Sequence, residues 1–128
     1  VQNLSTYECL ISTDVLEHVP DPLVTFQEMI KAVRLNGYLI IANNFNPIIK
    51  CHLPCTFHFK YFFYFFARKM GLKKLGKLSE RHATIYQKHQ DKKIETKNLQ
   101  KYAKLSKLIY PGIEAAKSLL RPVKRLLK

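Results

Sequence analysis

Two short apolar, β-prone stretches separated by a helical pattern constrain this chain more than anything else in it. Cys9-Leu10-Ile11-Ser12-Thr13 and Tyr38-Leu39-Ile40-Ile41-Ala42 both read as buried strands. Between them, Leu23, Phe26, Ile30 and Val33 fall at helical spacing with Met29 beside them. Strands joined through a helix cannot close as a hairpin. They lie parallel, linked by a crossover that is right-handed in almost all such units. Asp21 suits the helix N-cap and Pro22 its first turn. The helix is expected to run to about Arg34 and to stop at the turn-forming Asn36-Gly37.

The rest of the chain extends this α/β pattern. Residues 43–56, with Pro47 and Pro54, read as a loop. Phe57 to Phe66 holds eight aromatics in ten residues, which fits a helix packed deeply on a sheet, and Gly71 ends that stretch as a C-cap. Leu72–Leu78 and His82–Gln87 read as two strands joined by Ser79-Glu80-Arg81, an antiparallel pair at the edge of a parallel sheet. Gln87 to Lys93 is a polar boundary. Beyond it, Leu99, Tyr102, Leu105 and Leu108-Ile109 form one helical stripe, and Ile113, Ala116, Leu119-Leu120, Val123 and Leu126-Leu127 a second. Pro111 is expected to separate the two and Pro122 to kink or end the second. The organisation expected is a domain over 1–87 followed by a basic amphipathic helical tail over 88–128.

Composition narrows the class. At 128 residues and 47% hydrophobic, the chain can bury the core of one domain. No run of about 18 apolar residues exists, so no membrane span is expected. The net charge of +13 is uneven. Residues 1–57 carry three Lys/Arg against five Asp/Glu, residues 58–87 seven against one, and residues 88–128 twelve against three. The basic character therefore belongs to the C-terminal part and describes what a tail touches. Cys9, Cys51 and Cys55 are too few and too irregular for a disulfide framework, which favours a reducing, cytoplasmic setting. Val1-Gln2-Asn3 has neither an initiating Met nor a signal-peptide pattern, and the expectation is that the chain begins mid-protein.

The segment Asp14-Val15-Leu16-Glu17-His18-Val19-Pro20-Asp21-Pro22, then a helix, then Asn36-Gly37-Tyr38-Leu39-Ile40-Ile41 resembles the class I, Rossmann-like S-adenosylmethionine-dependent methyltransferases. In that family a strand ends in a D-x-L-E-H type segment, and a helix and a Gly-containing turn and strand follow. The resemblance covers residues 4–87, with Leu35-Asn36-Gly37-Tyr38 standing in place of the commoner K-P-G-G. It implies a partial Rossmann-like sheet, the family's strands four to seven, with flanking helices. The family's G-x-G-x-G loop is absent: the four glycines, at 37, 71, 76 and 112, are never in that spacing. The acidic residue that binds the cofactor ribose has no counterpart either. The resemblance thus implies the C-terminal half of a methyltransferase domain, inactive without its N-terminal half.

The same resemblance assigns roles. Asp14 and Val15 would lie along the methionine portion of S-adenosylmethionine. His18, with Glu17, would stand near the acceptor as the proton-handling pair, since imidazole titrates near neutrality. The competing role for both is to organise the loop and cap the helix after it. Asn43, Asn44 and His52 would face a small-molecule, sugar or lipid-linked acceptor. Some relatives hold a divalent cation with an acidic-x-x-Glu-His cluster and a distant His, here Asp14, Glu17 and His18 with His52 or His58. Cys51-His52-x-x-Cys55-x-x-His58 offers zinc ligand types, though at no standard spacing. An acceptor-pocket loop is the preferred reading there, and no metal is expected. Nucleic acid is not an expected partner. The alternative function is a non-catalytic module whose basic tail docks on an anionic membrane surface or an acidic partner.

Overall fold

The computed structural model describes residues 7–78 and 82–126, with side chains described as far as residue 120. The chain is α/β, with a four-stranded mixed sheet and three helices. β1 spans Tyr7–Thr13, α1 Pro22–Ala32, β2 Val33–Ala42, α2 Phe59–Lys69, β3 Leu72–Lys77, β4 Ala83–Lys88 and α3 Thr96–Leu126. Short 3-10 turns at Leu16–His18 and Pro54–Thr56 punctuate the two long connections. The sheet order is β1-β2-β4-β3. β1 and β2 are parallel, with Cys9 opposite Tyr38 and Thr13 opposite Ala42, as two strands bridged by a helix must be. β4 returns antiparallel between β2 and β3. The linking turn expected at Ser79-Glu80-Arg81 lies outside the described residues.

The passage from α1 to β2 differs from the sequence expectation. The helix ends at Ala32 and the strand begins at once with Val33. Asn36-Gly37 is therefore not a helix-terminating turn but part of a bulge inside the strand. Tyr7 faces Val33 while Cys9 already faces Tyr38, so the four residues 34–37 stand opposite Glu8 alone, an excess of three. Asn36 takes a left-handed φ of 65°, and Arg34 reaches back to Glu8 at 2.9 Å. Gly37 is required by close approach. A Cβ there would stand 2.7 Å from Val33 Cγ1 and 2.8 Å from the Glu8 carbonyl. The Val33 carbonyl is satisfied by the buried Lys88 ammonium at 2.8 Å. Asp21 occupies the N-cap position, yet its carboxylate makes no cap bond, and Thr25 instead bonds the Asp21 carbonyl.

Pro111 does not break the C-terminal helix, which runs unbroken from Thr96 to Leu126, past Pro122 as well. A proline removes one i to i−4 bond, here to the Lys107 carbonyl. Pro111 and Lys107 are both exposed, which leaves that carbonyl open to solvent. The first half of α3 packs back on the body. Leu99 is buried, Ser106 bonds His58, and Tyr61 meets Glu114 through its hydroxyl and Lys117 through its ring face, 3.6 Å from the ammonium. Gly71 ends α2 as expected, at φ 88° against the Gln90 backbone.

The sheet is covered on one face only. Leu39, Ile41, Leu72 and Tyr86 point into a core with Phe26 and Ile30 of α1, Phe59, Phe66 and Ala67 of α2, and Leu99. The aromatic run of α2 thus supplies the core layer, as its composition implied. The opposite face shows Cys9, Ile11, Tyr38, Ile40 and Ile85 across three strands, with Ile11 67% exposed. The β3 edge carries Lys73, Lys74 and Lys77, which oppose pairing with another strand. The β1 edge has one charge, Glu8, already engaged by Arg34. An apolar face beside an unguarded edge drives self-association. Sedimentation velocity on the isolated chain at micromolar concentration is expected to show dimers or larger species, and Ile11→Lys to shift the population towards monomer. A wild-type chain that sediments as a single monomeric boundary would contradict this.

Candidate functional site

The carboxyl ends of β1 and β2 open side by side, and the polar residues of the chain's N-terminal half converge there. The Asp14 N–H donates to the Ala42 carbonyl at 2.9 Å, tying the two strand ends together. Asp14 itself takes a left-handed φ of 51°, which turns the chain sharply off the strand. Val15 follows on the exterior, and Leu16 and Glu17 turn inward to full burial. Glu17 Oε1 accepts the Asn44 N–H at 2.8 Å, and the Glu17 carbonyl accepts the Leu53 N–H at 3.0 Å. One residue therefore fixes the β1 loop, the end of β2 and the loop after it.

Two cavities meet at this rim. The smaller, about 370 Å³, is lined by Thr13, Asp14, Ala42, Asn43, Asn44 and His82. The larger, about 550 Å³, shares Asn43, Asn44 and His82 and continues under α2. Its walls are the rings of Phe45, Phe59, Phe63, Tyr64 and Tyr86, and its mouth carries Lys60, Lys74 and Lys77. The buried polar atoms without a hydrogen-bond partner among the described residues are Ser12 Oγ, Glu17 Oε2 and both amide atoms of Asn43. All belong to the last turns of β1 and β2 or to the segments that leave them. Buried polar atoms are nearly always paired, so each of these calls for a partner such as an ordered water.

The structure redistributes the residues singled out from sequence. Asp14, Asn43 and Asn44 come together at the smaller cavity. Val15 lies at the exposed edge of the same loop. Glu17 is sealed inside and serves as the loop's anchor. His18 and His52 line neither cavity; they meet each other edge to face, with ring centroids 5.0 Å apart. His18 Nδ1 lies 3.0 Å from the Cys51 carbonyl and His52 Nδ1 lies 3.2 Å from the Asn46 carbonyl. The side chains of His18, Cys51 and His52 are thereby gathered, with one ligand-type atom from each within 4.8 Å of the others. Cys55 and His58 stand apart from this group. His82 was missed from sequence, because a residue read as the start of a strand gives no sign that its left-handed φ of 52° brings it to the rim.

His58 is buried at the start of α2 and faces α3. Ser106 Oγ lies 2.7 Å from His58 Nδ1 and 3.0 Å from the Ala103 carbonyl. Among the described residues, no helix is long and apolar enough to cross a membrane. No family model, curated protein or solved structure matches the chain.

Burial lowers the His58 pKa to about 4, opposed by the Cys55 carbonyl and assisted by Lys107. The unfolded chain takes up this proton near pH 6.5, the folded chain only near pH 4. The stability conferred by a neutral His58 is full above about pH 6.5 and declines as pH falls towards 4. Urea midpoints measured across that window are expected to fall with pH, and His58→Gln is expected to flatten the fall. Parallel slopes for the two proteins would exclude this role for His58.

Proposed function

We propose that this chain carries the acceptor side of a class I, Rossmann-like S-adenosylmethionine-dependent methyltransferase domain, its four strands standing as the family's fourth to seventh. The observation that carries this reading is the meeting of two cavities at the carboxyl ends of the parallel pair, where Asp14, Asn43 and Asn44 come together. In open α/β sheets ligands lie beyond those ends. The sequence resemblance places the cofactor's methionine portion at Asp14 and Val15, which border this rim. What is present fits that portion alone. The chain has no glycine-rich cradle, so the adenosine end requires residues outside it.

When bound, S-adenosylmethionine supplies a methyl group on a sulfonium sulfur, transferred in line to an acceptor. The residues here position and deprotonate that acceptor. Asp14 offers a carboxylate to the ammonium group at the methionine end. Asn44 borders both cavities and would orient the acceptor's polar atom towards the smaller one, with Asn43 beside it in the wall. His82 borders both cavities and takes the proton-accepting role, which leaves Glu17 to hold the loop and frees His18 from the acceptor. The aromatic walls and the Lys60, Lys74 and Lys77 mouth suit a flat or acyl acceptor with an anionic group.

A second reading rests on α3. Leu108 and Leu119 are 79% and 77% exposed among lysines, which is the pattern of a helix that lies on an anionic surface. One set of measurements separates the two. Calorimetric titration of the full-length protein with S-adenosylhomocysteine is expected to show binding, weakened about tenfold or more by Asp14→Ala, about 1.4 kcal/mol. Absence of binding, with salt-sensitive sedimentation on anionic vesicles, would overturn the methyltransferase reading in favour of the second.

A further inference from the structure

We propose that His18, Cys51 and His52 form a zinc site, distinct from the two cavities and independent of the methyltransferase reading. The three residues come from two segments that the fold locks together. His18 ends the 3-10 turn after β1. Cys51 and His52 sit on successive turns of the loop after β2, where the Ile49 N–H bonds the Asn46 carbonyl and the His52 N–H bonds the Ile49 carbonyl. The Leu53 N–H to Glu17 carbonyl bond then clamps that loop to the turn, one residue away from both His18 and His52.

The hydrogen bonds settle which nitrogen of each imidazole is free. A carbonyl oxygen can only accept, so each Nδ1 facing one carries the proton. In a neutral imidazole that leaves the Nε2 lone pair on both rings. Donation of one ring N–H to a backbone carbonyl is the usual way a protein orients a metal-binding histidine and raises its basicity. Two such rings beside a free, exposed thiol make a His₂Cys donor set. Imidazole and thiolate suit a borderline ion that takes tetrahedral geometry, which is zinc, with the fourth position open to solvent. Ligand atoms around a tetrahedral zinc lie roughly 3–4 Å apart, given bonds of about 2.0–2.3 Å. The present separations of up to 4.8 Å close by rotation of the exposed Cys51 thiol and by small shifts of the rings that keep both Nδ1–H bonds to their carbonyls. The donor set contains no carboxylate, since Glu17 is buried against Asn44. It also leaves out Cys55 and His58, the other half of the Cys-His-x-x-Cys-x-x-His run.

Zinc binding releases the thiol proton and converts the clamp between turn and loop into a covalently reinforced one. The site is tested with metal alone. Titration of the reduced protein with zinc, in competition with a chromophoric chelator, is expected to give one tight equivalent. Cobalt substitution is expected to show tetrahedral d–d bands and a thiolate charge-transfer band. Cys51→Ser should abolish the charge-transfer band, and His18→Asn should weaken zinc by at least about tenfold. Both residues are exposed, so neither change perturbs the core. Cys55→Ser and Cys9→Ser should leave both readouts unchanged. No stoichiometric zinc, a cobalt spectrum without the thiolate band, or a loss that follows Cys55 in place of Cys51 would overturn the proposal.

Discussion

A carboxylate with no access to water, Glu17, is the constraint on which the site rests. Burying a carboxyl group is costly unless hydrogen bonds replace its hydration. The backbone N–H of Asn44 pairs with one carboxylate oxygen, Oε1, while Oε2 has no partner among the described residues, and the Glu17 carbonyl takes the N–H of Leu53. Three segments that are remote in sequence become one body: the exit of β1, the exit of β2 and the loop that bears Cys51 and His52. Asp14 and Ala42 reinforce it with a direct backbone bond. The cavities at the rim and the cluster of His18, Cys51 and His52 lie on either side of this anchor. Each depends on it for its geometry.

The sheet explains where such a site can form. Its covered face is filled by side chains from all three helices, and its other face presents apolar residues to solvent. Strand ends at the rim are free of helix packing and can carry polar groups without opening the core. The larger cavity exploits this by running from the rim under α2, whose rings serve both the core and the cavity wall. α3 braces α2 from outside through Tyr61 and Ser106, and it keeps His58 in a dry environment that favours the neutral ring.

The strand–helix–strand unit was legible because period and composition change sharply at its borders. The aromatic helix and Gly71 were legible for the same reason. Leu39 and Ile41 alternate as a covered strand face should, but β1 is exposed at five of its seven residues, so the reading of residues 9–13 as a buried strand does not hold. Where the reading failed, a tertiary contact overrode a local preference. Asn36-Gly37 looks like a helix stop, but the Glu8–Arg34 pair and the buried Val33 draw the strand back to Ala32. Pro111 looks like a break, yet an exposed carbonyl at Lys107 tolerates the missing donor. At the site, Asp14, Asn43 and Asn44 were readable as residues at strand ends. His82 was not, since its place depends on β4 inserting beside β2. Residue type, at no standard spacing, offered Cys51, His52, Cys55 and His58 as one possible zinc set. The 3-10 turn at Pro54–Thr56 separates that set and pairs its first two members with His18 instead.

Hydrogen exchange at the Asn44 amide tests the organising role of Glu17 most directly. This amide lies in a loop, where exchange is ordinarily fast, and it donates to the buried Glu17 carboxylate. It is expected to be protected in the wild-type chain and to lose about tenfold or more of that protection in Glu17→Ala, while Leu39 and Tyr86 in the sheet keep theirs. Exchange at Asn44 as fast as that of an exposed loop amide, or protection unchanged by Glu17→Ala, would contradict the account.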